Sequence, residues 1–145
     1  MTNYSIDRLM NRNAGIAREW ALCRHYNVER STHDSLAYDK GSDLDACGKH
    51  ISIKASAFTL MSGSLCEGLE SFDDIWNLYE SRVHSDTFAY VTAEFEVFEM
   101  NIAEFKQFVY RFAHVERESE KNGGQAKIRL SKESQKMVKW LRERA

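Results

Sequence analysis

The residues best placed to do chemistry lie in a hairpin predicted within residues 38–56. Alternation of apolar and polar residues in its second strand puts Ser52 and Lys54 on one face. A Cys-Gly pair supplies a tight turn, and the strand before the turn carries Asp43. Across such a hairpin, these three side chains would converge. A carboxylate and an ammonium at one sheet edge are the skeleton of a metal-dependent site that cleaves phosphodiesters. The alternative is a solvated hairpin with ordinary surface charges.

Two runs of residues carry a resemblance to a known family. They are Gly41-Ser42-Asp43-Leu44-Asp45 and, after four further residues, His50-Ile51-Ser52-Ile53-Lys54-Ala55-Ser56. Together they resemble the core hairpin of the PD-(D/E)XK nuclease superfamily, to which small restriction endonucleases belong. Such enzymes carry a similar Asp, a short turn containing Gly, and then Asp/Glu-x-Lys. The flanking order is similar too, with a helix before the motif and a loop, helix and strand after it. The resemblance extends loosely over residues 4–100.

Two positions depart from the family pattern. Ser42 replaces the proline of the motif, and Ser52 stands where the second acidic metal ligand is expected. A serine hydroxyl brings no charge to a divalent cation. One subset of restriction enzymes has Ser-x-Lys here and recruits a glutamate from the following helix. Glu67 and Glu70 follow Lys54 by 13 and 16 residues. The resemblance therefore implies either a migrated carboxylate or an inactive protein.

The resemblance also implies a role for each candidate residue. Asp43 would bind Mg²⁺ (or Mn²⁺) directly, with Glu67 or Glu70 as the second ligand, because hard cations prefer oxygen ligands. Lys54 would lie near the attacking water and the scissile phosphate, where it stabilises developing negative charge.

Two more carboxylates belong to the candidate set. Glu19 lies on the first predicted helix, where similar folds often place an additional carboxylate, and its alternative is a surface helix charge. Asp45 follows Asp43 by two residues and so faces the same side of a regular strand. It is a fallback ligand or a surface charge.

Length and composition predict one domain over residues 1–145, and the resemblance implies that it is nuclease-like. Hydrophobic residues make up 43% of the chain, which is typical of a folded globular protein. No apolar run approaches the roughly 20 residues that span a bilayer, and the N-terminus lacks the apolar core of a signal peptide. Three cysteines without C-x-x-C spacing favour reduced thiols. We therefore expect a cytoplasmic protein with no membrane partner.

The periodicity of the chain predicts an α/β fold, in which helices flank a small mixed β-sheet, and the resemblance implies that this core is restriction-endonuclease-like. The predicted elements are a helix over about 4–26, strands over 36–46 and 49–56, a helix over 71–82, one or two strands over 87–98, a helix after Asn101, an exposed loop over 116–125, a strand over 126–130 and a final helix. Asn101 with Glu104 forms a predicted capping box, and Ser131 is the predicted cap of the final helix.

Charge is distributed unevenly along the chain, although the net charge is only −2. Ten acidic residues fall between Glu67 and Glu104, and eight basic residues fall from Lys121 onward. The predicted DNA contacts are the five cations on the last strand and the final helix, Lys127, Arg129, Lys132, Lys136 and Lys139. The alternative for this basic face is a solvated amphipathic helix.

These observations predict a metal-dependent endonuclease, a hydrolase of DNA phosphodiester bonds. A chain this short would need a symmetric homodimer to cut both strands of a duplex. Two alternatives remain open. One is a catalytically inactive nuclease-fold protein that binds nucleic acid. The other is an acidic interaction protein, for example from a phage or mobile element, that binds a protein partner.

Overall fold

The residues that the structure describes form two sheets and four helical segments. A computed structural model describes residues 17–18, 20–27, 44–55, 57–60, 68–117 and 126–144. The strands are β1 (Leu44–Ala46), β2 (Lys49–Ala55), β3 (Phe58–Leu60), β4 (Thr87–Val91), β5 (Val97–Met100), β6 (His114–Arg117) and β7 (Ala126–Leu130). The helices are α1 (20–26), α2 (Phe72–Arg82), α3 (Ile102–Phe112) and α4 (Gln135–Arg144). The α/β class is confirmed.

The first sheet is mixed and has the order β1-β2-β4-β5. The outer strands run antiparallel to their neighbours, whereas β2 and β4 are parallel. Parallel strands need a crossover connection, and α2 lies in the segment that joins them. In this register Ser52 is the partner of Phe88, and Lys54 is the partner of Tyr90. The carboxyl ends of β2 and β4 therefore meet at one edge.

A second, antiparallel sheet has the order β3-β7-β6, which corrects the prediction of one small sheet. The predicted strand over 126–130 is confirmed as β7. Its partners were missed because β3 has only three residues and β6 shows no buried apolar alternation. The predicted loop over 116–125 is wrong at its start, since Glu116 and Arg117 belong to β6. The rest of that loop lies outside the described residues.

The two faces of the first sheet carry separate hydrophobic clusters. Leu22 and Tyr26 of α1 pack on one face against Ile51, Ala89 and Val91. On the other face a larger aromatic core forms between the sheets and helices α2, α3 and α4. It includes Trp76, Phe88, Tyr90, Phe105 and Phe108, each with no measurable exposure. All five residues of β4 are buried, as expected for a strand covered on both faces.

The helices α2 and α3 begin close to their predicted positions. Ser71 caps α2, since its hydroxyl accepts a hydrogen bond from the Asp74 amide. The predicted capping box of α3 is confirmed: the Glu104 N–H donates to Asn101 Oδ1 at 2.8 Å, and the Asn101 N–H donates to Glu104 Oε1 at 3.0 Å. Each pair satisfies an amide that the first turn of a helix leaves free.

The cap predicted for the final helix is wrong. The Met137 amide donates to Ser134 Oγ at 3.2 Å, so α4 begins after Ser134 rather than after Ser131. Glu133 lies between these two serines, and its carboxylate accepts hydrogen bonds from Tyr90 and from the Ala93 amide. As a result, Lys132 precedes α4 and does not share its face.

Other predictions for the two ends of the chain are only partly covered. Within the predicted helix over 4–26, residues 17–18 and 20–26 are helical, and Cys23 is buried while Trp20 is half-exposed. Among the described helices, none has the length and apolar character that crossing a bilayer requires.

We expect Asn101→Ala to lower the free energy of unfolding by about 1 kcal/mol, because the Glu104 amide loses its side-chain acceptor, whereas the backbone N–H of residue 101 can still donate to Glu104. Urea denaturation checks this. Asn101→Asp keeps a side-chain acceptor at the helix N-terminus and serves as the matched control, with stability near that of the unmodified protein. Equal losses in both variants would show that the cap does not stabilise α3.

Candidate functional site

The hairpin turn has the predicted geometry. Ala46 pairs with Lys49, and the two residues between them, Cys47 and Gly48, have φ of 55° and 73°. Positive φ at both central residues matches the right-handed twist of the flanking strands. Gly48 adopts this conformation without strain, and the Cys47 thiol lies 3.6 Å from the Tyr26 carbonyl oxygen, to which it donates. The turn fixes the register of β1 on β2.

The alternation predicted for β2 is confirmed. Ile51, Ile53 and Ala55 belong to the cluster under α1, so Ser52 and Lys54 lie on the opposite face. Ser52 is only 6% exposed, and its Oγ is 2.5 Å from the Ser85 Oγ. The Ser52 hydroxyl is therefore bound inside the protein. Lys54 is half-buried, and it extends from the sheet beside its register partner Tyr90.

A carboxylate reaches the same edge from the C-terminal part of the chain. The Tyr90 hydroxyl donates to Glu133 Oε1 at 3.0 Å, and the Ala93 amide lies 3.1 and 3.2 Å from the two Glu133 oxygens. Burial and the Glu133 carboxylate raise the pKa of the Tyr90 phenol, so it stays protonated and continues to donate. The positive charge of Arg18 acts on the same phenol in the opposite direction.

Arg18 brings a second unusual group to this edge. Its Nε is buried and has no hydrogen-bond partner among the described residues. A buried guanidinium nitrogen normally has an acceptor, because its desolvation otherwise costs free energy. Lys54, Tyr90 and Glu133 place a cation, a phenol and a carboxylate at the edge where β2 and β4 end, and the charge of Arg18 acts on the same phenol. Such a set can bind a phosphate group and accept a proton.

Sequence reasoning missed Glu133 as a functional candidate. One signal was available, since Glu133 is one of two acidic residues among the eight cations from Lys121 onward. Its partner Tyr90 lies 43 residues earlier in the chain, and no local pattern connects the two. The pairing becomes visible only when β4 and the segment before α4 are brought together.

The other predicted catalytic residues are distributed as follows. Asp43, Glu67 and Glu19 lie outside the described residues. Asp45 pairs with His50 in the β1–β2 register, four residues along β2 from Lys54 and so about 13 Å away along the strand. Glu70 is exposed, and its carboxylate accepts a hydrogen bond from Arg117 of β6 at 3.2 Å.

The predicted nucleic-acid contacts divide between β7 and the region of α4. Lys127 and Arg129 alternate with buried residues of β7, as predicted, and the Arg129 guanidinium lies 3.7 Å from the Glu116 carboxylate. Lys136 and Lys139 are exposed on α4, and Lys139 lies 3.9 Å from Glu143. The prediction that Lys132 shares their helix face is wrong, because α4 starts three residues later.

We expect Tyr90→Phe to lower the free energy of unfolding by about 1 to 2 kcal/mol, because a partly buried carboxylate loses a donor. Glu133→Gln keeps an acceptor oxygen and is the matched partner for a double-mutant cycle. Chemical denaturation of both single variants and the double variant should give a coupling free energy above about 0.5 kcal/mol. Strict additivity would mean that the Tyr90–Glu133 hydrogen bond contributes nothing to stability.

Comparisons of this chain with protein-family models, curated proteins and solved structures find no match.

Proposed function

We propose that the chain is a metal-dependent endonuclease that hydrolyses DNA phosphodiester bonds at the edge where β2 and β4 end. The observation that carries the proposal is the position of Lys54. It lies on the face of β2 predicted for catalysis, at the carboxyl end of a parallel strand pair and beside Tyr90. In open α/β sheets, the crevice outside the carboxyl ends of the strands is the usual ligand site.

The order of elements also supports the proposal. A helix precedes the hairpin, and α2 and β4 follow it, which is the order that the resemblance to the PD-(D/E)XK superfamily implies. The restriction-endonuclease-like core remains part of this proposal.

The chain's own residues have distinct roles in the proposed reaction. Lys54 stabilises the negative charge that develops on the phosphate oxygens during attack by water. Lys54 as a residue is half-buried. Glu133, oriented by Tyr90 and Ala93, is a carboxylate that can accept a proton at this edge.

The proposal retains Mg²⁺ (or Mn²⁺) as the cation, with Asp43 and Glu67 as the carboxylates to bind it. In the part of the chain that the structure describes, no group of three or more His, Cys, Asp or Glu side chains could hold a metal ion. Glu70 is the less suitable second ligand, since it would have to leave Arg117.

A second candidate function is favoured by the environment of Ser52. Its hydroxyl is buried against Ser85, so the position that holds the second acidic ligand in similar enzymes is used for packing here. A nuclease-fold protein that binds nucleic acid without cleaving it would have no need of a carboxylate at this position. Such a protein would retain the basic surfaces and lose only the hydrolysis.

The acidic interaction protein receives less support. Several carboxylates of the acidic segment are paired with cations from other parts of the chain. These pairs are Glu70–Arg117, Glu96–Arg142, Glu99–Lys49 and Glu104–Arg144. The hydrogen bond from Arg142 lowers the pKa of Glu96. Burial opposes ionisation of Glu99, but hydrogen bonds from Lys49 and Tyr26 together with nearby positive charge lower its pKa. A partner would therefore meet a surface whose negative charge is partly neutralised.

We expect the purified chain to nick supercoiled plasmid DNA with Mg²⁺ or Mn²⁺ and to be inactive in EDTA. Lys54→Ala should lower the cleavage rate by about 10² to 10³-fold, because one preorganised charge at the reacting phosphate is removed. Lys106→Ala, on α3 and away from this edge, is the matched control and should cleave normally. A wild-type chain that is inactive with both metals would favour the non-catalytic candidate. Full activity of Lys54→Ala would reject the site.

We expect Glu67→Gln to abolish metal-dependent cleavage and Glu70→Gln to leave it within about threefold. A neutral amide keeps the shape of the side chain but removes the charge that a hard cation needs. The two variants change charge equally, so each controls for the other. The same plasmid assay, with a thermal melt to check folding, provides the measurement. Loss of cleavage in Glu70→Gln alone would transfer the ligand role to that residue.

A further inference from the structure

A groove of about 460 Å³ lies between the C-terminal part of α3 and the exposed side of α4. Six residues line it, namely Arg111, Phe112, Lys136, Lys139, Trp140 and Glu143. Those from α4 recur at a spacing of three or four residues, which places them on one face of the helix. The groove therefore presents three cations and one carboxylate around two aromatic rings.

Two cations of this groove differ from several arginines of the C-terminal part of the chain in their ion pairing. Arg129, Arg142 and Arg144 each lie beside a glutamate. By contrast, neither Arg111 nor Lys136 forms an ion pair with any residue that the structure describes. The one acidic group of the groove, Glu143, lies 3.9 Å from Lys139, which leaves the other two charges uncompensated. The groove thus has an unbalanced positive charge that an anionic partner would neutralise.

The aromatic rings shape the groove but do not offer free faces for stacking. Trp140 stacks on Phe108 at a ring distance of 6.1 Å, and the Arg144 guanidinium lies 5.4 Å from its ring centroid. Phe112 packs edge-on against Trp140, and Arg111 lies 5.9 Å from the centroid of its ring. A bound polymer would therefore meet charge rather than a stacking platform, so contacts to phosphates are favoured over contacts to bases.

We propose that the groove between α3 and α4 binds the phosphate backbone of nucleic acid, with Arg111 and Lys136 as its principal contacts. The inference rests on the proposed function for its choice of nucleic acid as the polyanion. The sequence predicted a helix face of three lysines as the contact surface, and the groove presents a different set of three cations. Arg111, on another element and 25 residues before Lys136, enters the set, and Lys132 leaves it. Binding should be insensitive to base sequence and strongly dependent on salt.

The test measures affinity for fluorescein-labelled single-stranded DNA of mixed sequence by anisotropy, in EDTA so that cleavage plays no part. Each phosphate contact to single-stranded DNA contributes about −0.7 to the slope of log K against log salt. Arg111→Gln combined with Lys136→Gln should therefore lower the magnitude of the slope by about 1.4. The ratio of the wild-type binding constant to that of the double variant should therefore fall about sevenfold as salt is raised from about 50 to about 200 mM.

A matched control changes the same net charge elsewhere. Arg24→Gln with Arg82→Gln removes two exposed arginines of α1 and α2 and should keep the wild-type slope. Arg111→Lys with Lys136→Arg keeps both charges and should retain most of the affinity. Should the double Gln variant fail to fold, Lys136→Gln alone, at an exposed position, decides the matter with a slope change of about 0.7.

Four results would overturn the inference. They are no binding by the wild-type chain, wild-type affinity and slope in the groove variants, equal losses in the Arg24 and Arg82 control, and equally tight, groove-dependent binding of polyglutamate. The last would assign the groove to acidic polypeptides. Failure of the proposed function is distinguishable, because groove-dependent binding without plasmid cleavage leaves this site standing. Cleavage with unchanged DNA binding in the groove variants rejects only the groove.

Discussion

The parallel pairing of β2 with β4 is the constraint on which the rest of the structure depends. β4 is buried on both faces, and its side chains alternate between the cluster under α1 and the larger aromatic core. Because parallel neighbours cannot be joined by a tight turn, α2 is needed in the connection. The pairing also sets Lys54 beside Tyr90, so it fixes the only predicted catalytic lysine relative to the core.

A second link joins the C-terminal part of the chain to this sheet. Glu133 accepts hydrogen bonds from Tyr90 and Ala93, which holds the segment before α4 against the end of β4. With that side chain bound, Ser134 becomes the residue whose hydroxyl meets the first turn of α4. Glu133 therefore brings an acidic group to the candidate site, and α4 begins two residues after it. The start of α4 in turn decides which lysines lie along the groove with α3.

The uneven charge of the sequence is redistributed by folding. Glutamates of the acidic segment pair with cations of β2, β6 and α4, and these pairs connect elements that are distant in the chain. Exposed pairs of this kind contribute little to stability individually, because water and salt screen them. The ion pairs do determine which surface charge is left unpaired. Charge is compensated where acidic and basic segments meet, and positive charge persists where α3 and α4 form a groove.

Local patterns of the sequence determined much of this protein. The Cys47-Gly48 turn, the alternation of β2, the capping box of α3 and the extent of α2 each depend on residues close together in the chain, so their physics is readable from spacing. Only the tertiary structure decided that the described strands form two sheets. The sequence does not predict β3, which is too short, or β6, which is too polar, and both are strands because they pair with β7. The tertiary structure also decided that Ser52 is buried against Ser85, that Glu133 joins Tyr90, and that Arg111 shares a groove with Lys136. In the last three cases the partners lie 25 or more residues apart, and a contact at such a separation is fixed by the packing of sheets and helices rather than by the residues on either side.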